Sequence, residues 1–490
     1  MTATLMEVLF LAPACAAGLS LLLRRARVAE YATVVASFAS LGASIALLFA
    51  LQHGPVYYWR SYVIADDLGA WIMLCVTLVY ALSSVHAVGY MRLFQEEERL
   101  PRFYALFSGF ALTMLAACVM NNVGVYWIAV ELTTLVSTFL VGFEREAEST
   151  EAAWKYIIVV SAGISLALLG TVLYYWGGTF VLGPTYMMTW SALRTAAPHV
   201  ASPLLLLSFL LVLVGYGTKA GLVPMHTWLP DAHSESPAPV SAMLSGALLN
   251  TAMLGIVCFL GIMNVSSVRA TSHAAVVGFG ILSFVISALF ISRQTGVKRL
   301  MAYSSVEHIG VQALGFGFDG VLGTAGALYH MLNHSLSKSL MFFGAGNAMR
   351  RYETKDMGSL RQVLTAFPVT GCLWLAGAVA IAGAPPFALF LSEFTILRAG
   401  LAGRYRWVVF VFVVFVVFLI VVFVSFLAHF RRMYFGRPAD HAIKELPYAL
   451  WRAVPMWLAF VPLLVLGLWW PQSLWNEFSK IALQLGAGLR

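Results

Sequence analysis

Three titratable side chains stand four residues apart in one apolar run: His330, His334 and Lys338, in LYHMLNHSLSKSLMFF. On an α-helix that spacing lines all three along one face. An ionisable group at membrane depth costs several kcal/mol unless it is paired or hydrated, so a stripe of three calls for a function. Side chains that take up and release protons in turn suit a proton relay. An HxxxH pair can also ligate zinc. No cysteine or dedicated carboxylate completes such a site, however, and Lys338 would repel a cation, so no metal is expected.

Other candidates are scattered through apolar sequence. Glu131 and Lys219 fall inside two different runs, and as opposite charges on neighbouring helices each would offset the other's desolvation. They read either as a static buried pair or as a switchable one, in which a proton reaching Glu131 loosens its hold on Lys219. In VKRLMAYSSVEHIG, Glu307 and His308 are adjacent. Neighbouring residues diverge by about 100° around a helix, so one is expected to face the polar interior and the other a packed neighbour. Glu393, in FLSEF just past Pro385 and Pro386, is either an interfacial carboxylate or an exit group for protons. His226 and His233, in KAGLVPMHTWLPDAHSESPAPV, are expected at the cytoplasmic mouth of the path. His86 reads as interfacial, and His53, His199, His273 and His441 carry little signal.

The elements that must position these groups follow from composition. The 490 residues are 60% hydrophobic and 11% charged, far from a soluble domain. Apolar runs of about 20 residues recur throughout without strand-like alternation, giving an all-α polytopic membrane protein of about fourteen spans. The N-terminal run reads as the first span, because no basic segment precedes it as in a signal peptide. Twenty lysines and arginines fall in odd-numbered connections and eight in even-numbered connections and the termini, leaving Lys219 and Lys338, of 30, inside spans. By the positive-inside rule both termini then face the periplasm or outside. The formal charge of +8 is therefore a matter of topology, and no nucleic-acid partner is expected. Five isolated cysteines lack the spacing for an iron–sulfur cluster, a structural zinc or a disulfide framework. The polar stretch EREAESTEAAWK reads as a short solvated connection. Gly221 with Pro224 interrupts the seventh span, and Gly383 with Pro385 and Pro386 the twelfth. Paired breaks are the usual pointer to inverted repeats and an ion path between them. The expected divisions are residues 1–103 (spans 1–3), 104–262 (first repeat, spans 4–8), 263–435 (second repeat, spans 9–13) and 436–490 (span 14 and tail).

The stretch KAGLVPMHTWLPDAHSESPAPVSAMLSGALLN, with VKRLMAYSSVEHIG and HMLNHSLSKSLMFFGAG, resembles the antiporter-like proton-translocating subunits of the respiratory complex I and membrane-bound [NiFe] hydrogenase superfamily. WKYIIV and SSVEHIG are most similar to the hydrogenase-4 component F branch. The resemblance covers about residues 120–395 and implies the antiporter-like fold, with no long lateral helix after the last span. It places Glu131 and Lys219 at the input pair, His308, His334 and Lys338 in a central relay, and Glu393 at the terminal carboxylate. Many relatives carry a lysine or histidine where this chain has Asn250. Asparagine takes up no proton at neutral pH, so the path there must run through water, through His226 and His233, or not at all.

The expected function is proton translocation along a buried Glu–Lys–His–Lys–Glu relay, within a membrane-bound hydrogenase, formate hydrogenlyase or NADH dehydrogenase-like complex. The chain itself carries no metal, flavin or nucleotide motif. Nickel–iron and iron–sulfur centres are expected in partners: other membrane subunits and a peripheral hydrogenase-like or dehydrogenase arm, in a bacterial or archaeal cytoplasmic membrane. The alternatives are a subunit of a multi-subunit cation/proton antiporter or an inorganic-carbon uptake system, and a membrane anchor that pumps nothing. Protons are favoured over sodium because the relay is rich in nitrogen bases.

Overall fold

In lipid every backbone N–H and C=O must find an internal partner, so long apolar runs fold as helices. The computed structural model describes residues 2–94, 96–402, 408–435, 445–447 and 449–488. Arg404, Arg406, Arg437, His441, Lys444 and Arg490, counted above from sequence, lie outside the described residues.

The helices in chain order are α1 (Thr2–Leu23), α2 (Ala26–Ala50), α3 (Asp67–Met91), α4 (Leu100–Ala117), α5 (Val123–Val141), α6 (Ala147–Leu182) and α7 (Trp190–Ala196). They continue as α8 (Ser202–Ala220), α9 (Trp228–Glu235), α10 (Ala238–Met243), α11 (Leu249–Met263), α12 (Arg269–Ser292), α13 (Val297–Gly317) and α14 (Val321–Tyr352). The remainder are α15 (Val363–Ala366), α16 (Pro368–Ile381), α17 (Ala388–Ala402), α18 (Val408–Tyr434), α19 (Ala449–Leu468) and α20 (Gln472–Gln484). A small hairpin, β1 (Val56–Tyr58) against β2 (Val63–Ala65), pairs Val56 with Ala65 between α2 and α3. Asp66 caps α3 through Gly69 N at 2.7 Å, and Asn122 caps α5 through Val125 N at 3.1 Å.

Among the described residues, 11 helical segments are long and apolar enough to cross a membrane. Three more complete the expected fourteen. They are α13 and α14, at 21 and 32 residues, and the broken pair α16 and α17. A helix of 20 residues rises about 30 Å, the thickness of a bilayer core. These three differ because α13 and α14 carry the polar relay and the last is split in two.

The seventh span breaks as expected. Helix α8 stops at Ala220, Gly221 adopts φ 85°, and α9 resumes at Trp228. The span therefore continues past the break to Glu235. The twelfth span breaks at Gly383, φ 71°, and resumes as α17. Past the two prolines the chain continues in helix to Ala402. An interruption that sequence did not announce lies in the eighth span, where Leu244–Leu248 forms a π-helical turn between α10 and α11.

Odd-numbered connections bond to one another. Arg350 meets Glu144 at 3.1 Å, and Lys355 meets Glu146 and Glu235 at 3.2 and 2.7 Å. Lys155 and Arg299 share Asp231. Even-numbered connections and the C-terminal segment do the same at the other end: Lys480 reaches Asp67 at 2.8 Å, and Arg269 grips Asp319 with two nitrogens. Burial pushes the Asp319 carboxyl up, but the hydrogen bonds and charge of Arg269, with His273 and the Gly488 N–H, together hold it below its ordinary 3.8. A depressed carboxylate contributes its stability above the unfolded value and loses it as the pH falls through the folded one. The Arg269–Asp319 tie is thus intact at neutral pH and fails only in strong acid.

Small residues let the central helices close up. A Cβ added at Gly310 of α13 would meet the Gly280 carbonyl of α12 at 2.8 Å, and one at Gly280 would meet the Gly310 carbonyl at 2.9 Å. Gly310→Leu is expected to force these helices apart, at a cost of about 1–3 kcal/mol or more. A lower melting temperature and less folded protein in detergent, with Gly278→Ala in open space as the control, would check it.

Candidate functional site

Helix α5 presents hydroxyls on one face, and Lys219 of α8 points into them. Its Nζ donates to Thr134 Oγ1 at 2.7 Å and Tyr156 OH at 2.9 Å, and Tyr156 OH is 2.7 Å from Ser137 Oγ. Glu131 lies one helical turn from Thr134 and accepts from Ser161 Oγ at 2.6 Å, with Oε2 buried and unpartnered. No ion pair within 4.0 Å joins Glu131 to Lys219 among the described residues, although the carboxylate acts on the lysine's charge. The expected direct pair is replaced by a hydroxyl-mediated one. Neutral oxygens hold the ammonium, and the carboxylate acts on it from a distance. Protonating Glu131 would thus break no hydrogen bond of Lys219.

The break after α8 frees backbone groups that need partners. Trp228 Nε1 donates to the Thr218 carbonyl at 2.8 Å, and its ring lies 4.8 Å from Tyr156. His226 is buried against Tyr303. His233 is fully buried between Trp228 and Phe342, with both ring nitrogens unpartnered. The expected position at the mouth is therefore corrected for His233. The break folds α9 back under α13, so His233 is enclosed while Ser234 and Glu235 line a polar cavity of about 360 Å³ open to the basic-rich face.

Helix α14 places its three titratable groups as its spacing predicts. His330 Nε2 lies 3.2 Å from His308 Nδ1, and the ring of His334 is 5.5 Å from that of His308. Lys338 Nζ donates to Ser304 Oγ at 2.8 Å and the Met301 carbonyl at 3.1 Å. It acts on His233, His330 and His334 by charge, with Glu307 as its balancing carboxylate. Glu307 and His308 both face the interior, 3.6 Å apart. The expectation that only one would face the polar interior, the other meeting a packed neighbour, is not met: α12, α14, α9 and α17 pack around α13 and both groups are buried at the centre.

Glu393 is buried within α17, not interfacial. Its Oε1 is 3.8 Å from His308 Nδ1, and neither carboxylate oxygen has a hydrogen-bond partner. A Cβ at Gly383 would fall on this carboxylate, so the glycine at the break makes its room. Ser392 Oγ meets His330 Nδ1 at 2.9 Å. His308, His330 and Glu393 each point one ligand-capable atom to a common place, within 4.8 Å of one another. His308 and His330 hydrogen-bond each other there, and Glu393 supplies the carboxylate that the sequence reading found missing.

Asn250 occupies the middle. The π turn exposes the Gly246 carbonyl, which accepts from Asn250 Nδ2 at 3.1 Å and Ser335 Oγ at 2.6 Å. Asn250 also donates to Ser335 at 3.0 Å and accepts from Gln312 Nε2 at 3.3 Å. It ties three helices together without titrating. Asn250→Ala is expected to slow proton passage about fivefold to tenfold, the worth of a lost hydrogen bond. A loss as complete as that from removing a lysine would mean that the asparagine organises water the path cannot do without.

Sequence reading missed Thr134, Ser137, Tyr156, Gln312 and Ser335. The hydroxyl stripe Thr134, Ser137, Thr138 was a legible signal. It also misplaced His86, which is fully buried, stacked 4.2 Å from Phe343 and 3.3 Å from Asn347 Oδ1. His273 is buried too, bridging Asn264 and the Gly317 carbonyl beside Asp319.

The family described as NADH:quinone oxidoreductase/Mrp antiporter, TM, matches residues 120–420. The hydrogenase-4 component F homolog of Methylacidiphilum infernorum is 35% identical over 382 residues, 77% of this chain and 79% of that protein. Hydrogenase-4 component B of Escherichia coli is 30% identical over 343 residues, 67% of this chain and 49% of the longer relative. In fold, a chain of the archaeal membrane-bound sulfane sulfur reductase, a respiratory membrane complex, superposes with a TM-score of 0.85 at 20% identity, covering 98% of each chain.

Proposed function

The chain belongs to the NADH:quinone oxidoreductase/Mrp antiporter family, and on that premise we propose that it moves protons across a membrane as one subunit of a multi-subunit redox complex of the hydrogenase-4 type. The observation that carries the reading is the set of buried protonatable groups in the interior, Glu131 and Lys219, His233 and Lys338, and Glu307, His308, His330, His334 and Glu393. Two split spans flank this series, at Gly221 and Gly383, as inverted repeats of residues 104–262 and 263–435 would require.

In this reading His233 carries the path past Asn250, because its nitrogens are unpartnered and Lys338 is within electrostatic reach. Electron transfer takes place elsewhere, on nickel–iron and iron–sulfur centres of a peripheral arm, and reaches this chain as a change in charge or conformation. The basic-rich face is cytoplasmic, in a bacterial or archaeal cell membrane, and both termini lie outside. A supporting subunit with no transport role would have no use for a buried lysine in each half.

The complex purified with this chain and sealed into vesicles is expected to acidify or alkalinise the lumen only when an electron donor and acceptor are supplied, in sodium-free buffer. A pH change driven by a sodium gradient without redox turnover would favour the cation/proton antiporter instead.

A further inference from the structure

Away from the relay, α4, α5 and the start of α6 enclose a second cavity of about 490 Å³ on the basic-rich face. Its walls are apolar, with Phe139 and Trp154 exposed on its rim at 67% and 64%. Three arginines converge on it: Arg99, Arg102 and Arg145. Arg99 is committed, pairing with Glu96 and lying 4.8 Å over the Phe143 ring. Arg102 and Arg145 are exposed, and their guanidinium groups make no ion pair or hydrogen bond among the described residues.

Two unpaired guanidinium groups over an apolar slot form an amphipathic receptor. The acyl chains of a lipid would lie against Leu106, Phe139 and Ile157, while its phosphate met the arginines. Exposed aromatics at the same level fit the headgroup boundary, where such side chains collect. A protein partner would have to bring carboxylates to the membrane surface here, whereas an anionic lipid brings both the charge and the hydrocarbon. We propose that this cavity binds an anionic phospholipid, its headgroup clamped by Arg102 and Arg145. The slot abuts α5, which carries Glu131 and Thr134, so a bound lipid would stiffen the helix that opens the relay.

The test uses the full complex, incubated with mixed vesicles of phosphatidylglycerol and phosphatidylcholine, re-purified, and analysed for retained lipid by mass spectrometry. The wild type is expected to retain phosphatidylglycerol preferentially, and Arg102→Gln with Arg145→Gln to weaken that preference about thirtyfold. Arg102→Lys with Arg145→Lys should keep most of it, because the charges remain. Both sites are exposed, so neither pair of substitutions should impair folding. Unchanged retention by the glutamine variant would overturn the proposal. So would displacement of the lipid by inorganic phosphate, or a neighbouring subunit cross-linked at Trp154 in its place.

Discussion

Replacing Lys338 by alanine is expected to abolish proton translocation, a fall of about a hundredfold or more, the scale of losing an essential acid–base group. Lys338 is the one lysine of the central cluster, and its charge acts on His233, His330 and His334 at once. Glu307 balances it, so removing the ammonium leaves a buried carboxylate uncompensated and pins a proton on Glu307. Truncation also opens a cavity, at about 2–5 kcal/mol for a large buried side chain. Lys338→Met separates the two effects: it keeps the stem's volume and should assemble normally while still failing to translocate. The checks are a pH-sensitive dye in sealed vesicles and recovery of the partner subunits with the tagged chain. A methionine variant that translocated normally would remove Lys338 from the path.

Lys219→Ala should be as severe. Lys219 stands alone at the start of the series, and no other base lies within the hydroxyl cage of Thr134, Ser137 and Tyr156. Without it, a proton leaving Glu131 meets only the hydroxyls of Thr134, Ser137 and Tyr156. Tyr156→Phe should be milder, because Thr134 still holds the ammonium at 2.7 Å. Loss of one hydrogen bond to a charged group costs about 1.5–3 kcal/mol, so a tenfold or greater slowing is expected. Initial translocation rates of the two variants, measured side by side, give the order. A Tyr156→Phe loss equal to that of Lys219→Ala would make the phenol itself a proton carrier.

Much of this arrangement was legible in the sequence, for identifiable reasons. Hydropathy reports burial in lipid directly, so the spans and their alternation could be read from runs and basic residues. Glycine with proline marked both broken spans, because each residue removes a helical constraint that nothing else restores. The four-residue spacing of His330, His334 and Lys338 fixed a common face before any contact was known. What the sequence could not reveal was the distance between groups on different helices. It paired Glu131 with Lys219 by charge alone, while the folded chain interposes neutral hydroxyls between helices α5, α6 and α8. The position of Glu393 just past the prolines left it open between an interfacial carboxylate and an exit group. Its burial depends on Gly383 leaving space, a property of the turn's shape and not of composition. The π turn at Leu244–Leu248 went unread, because the partners of its Gly246 carbonyl include Ser335 on a helix distant in sequence.

Protons are expected to cross the membrane through this chain during redox turnover. The most direct measurement is the number of protons moved per electron pair by the reconstituted complex, with wild-type chain and with Lys219→Met and Lys338→Met combined. The account predicts that the combined variant sustains electron transfer but moves fewer protons per pair, the deficit being the share this chain carries. An unchanged ratio at unchanged turnover would contradict it and leave the chain as a membrane anchor.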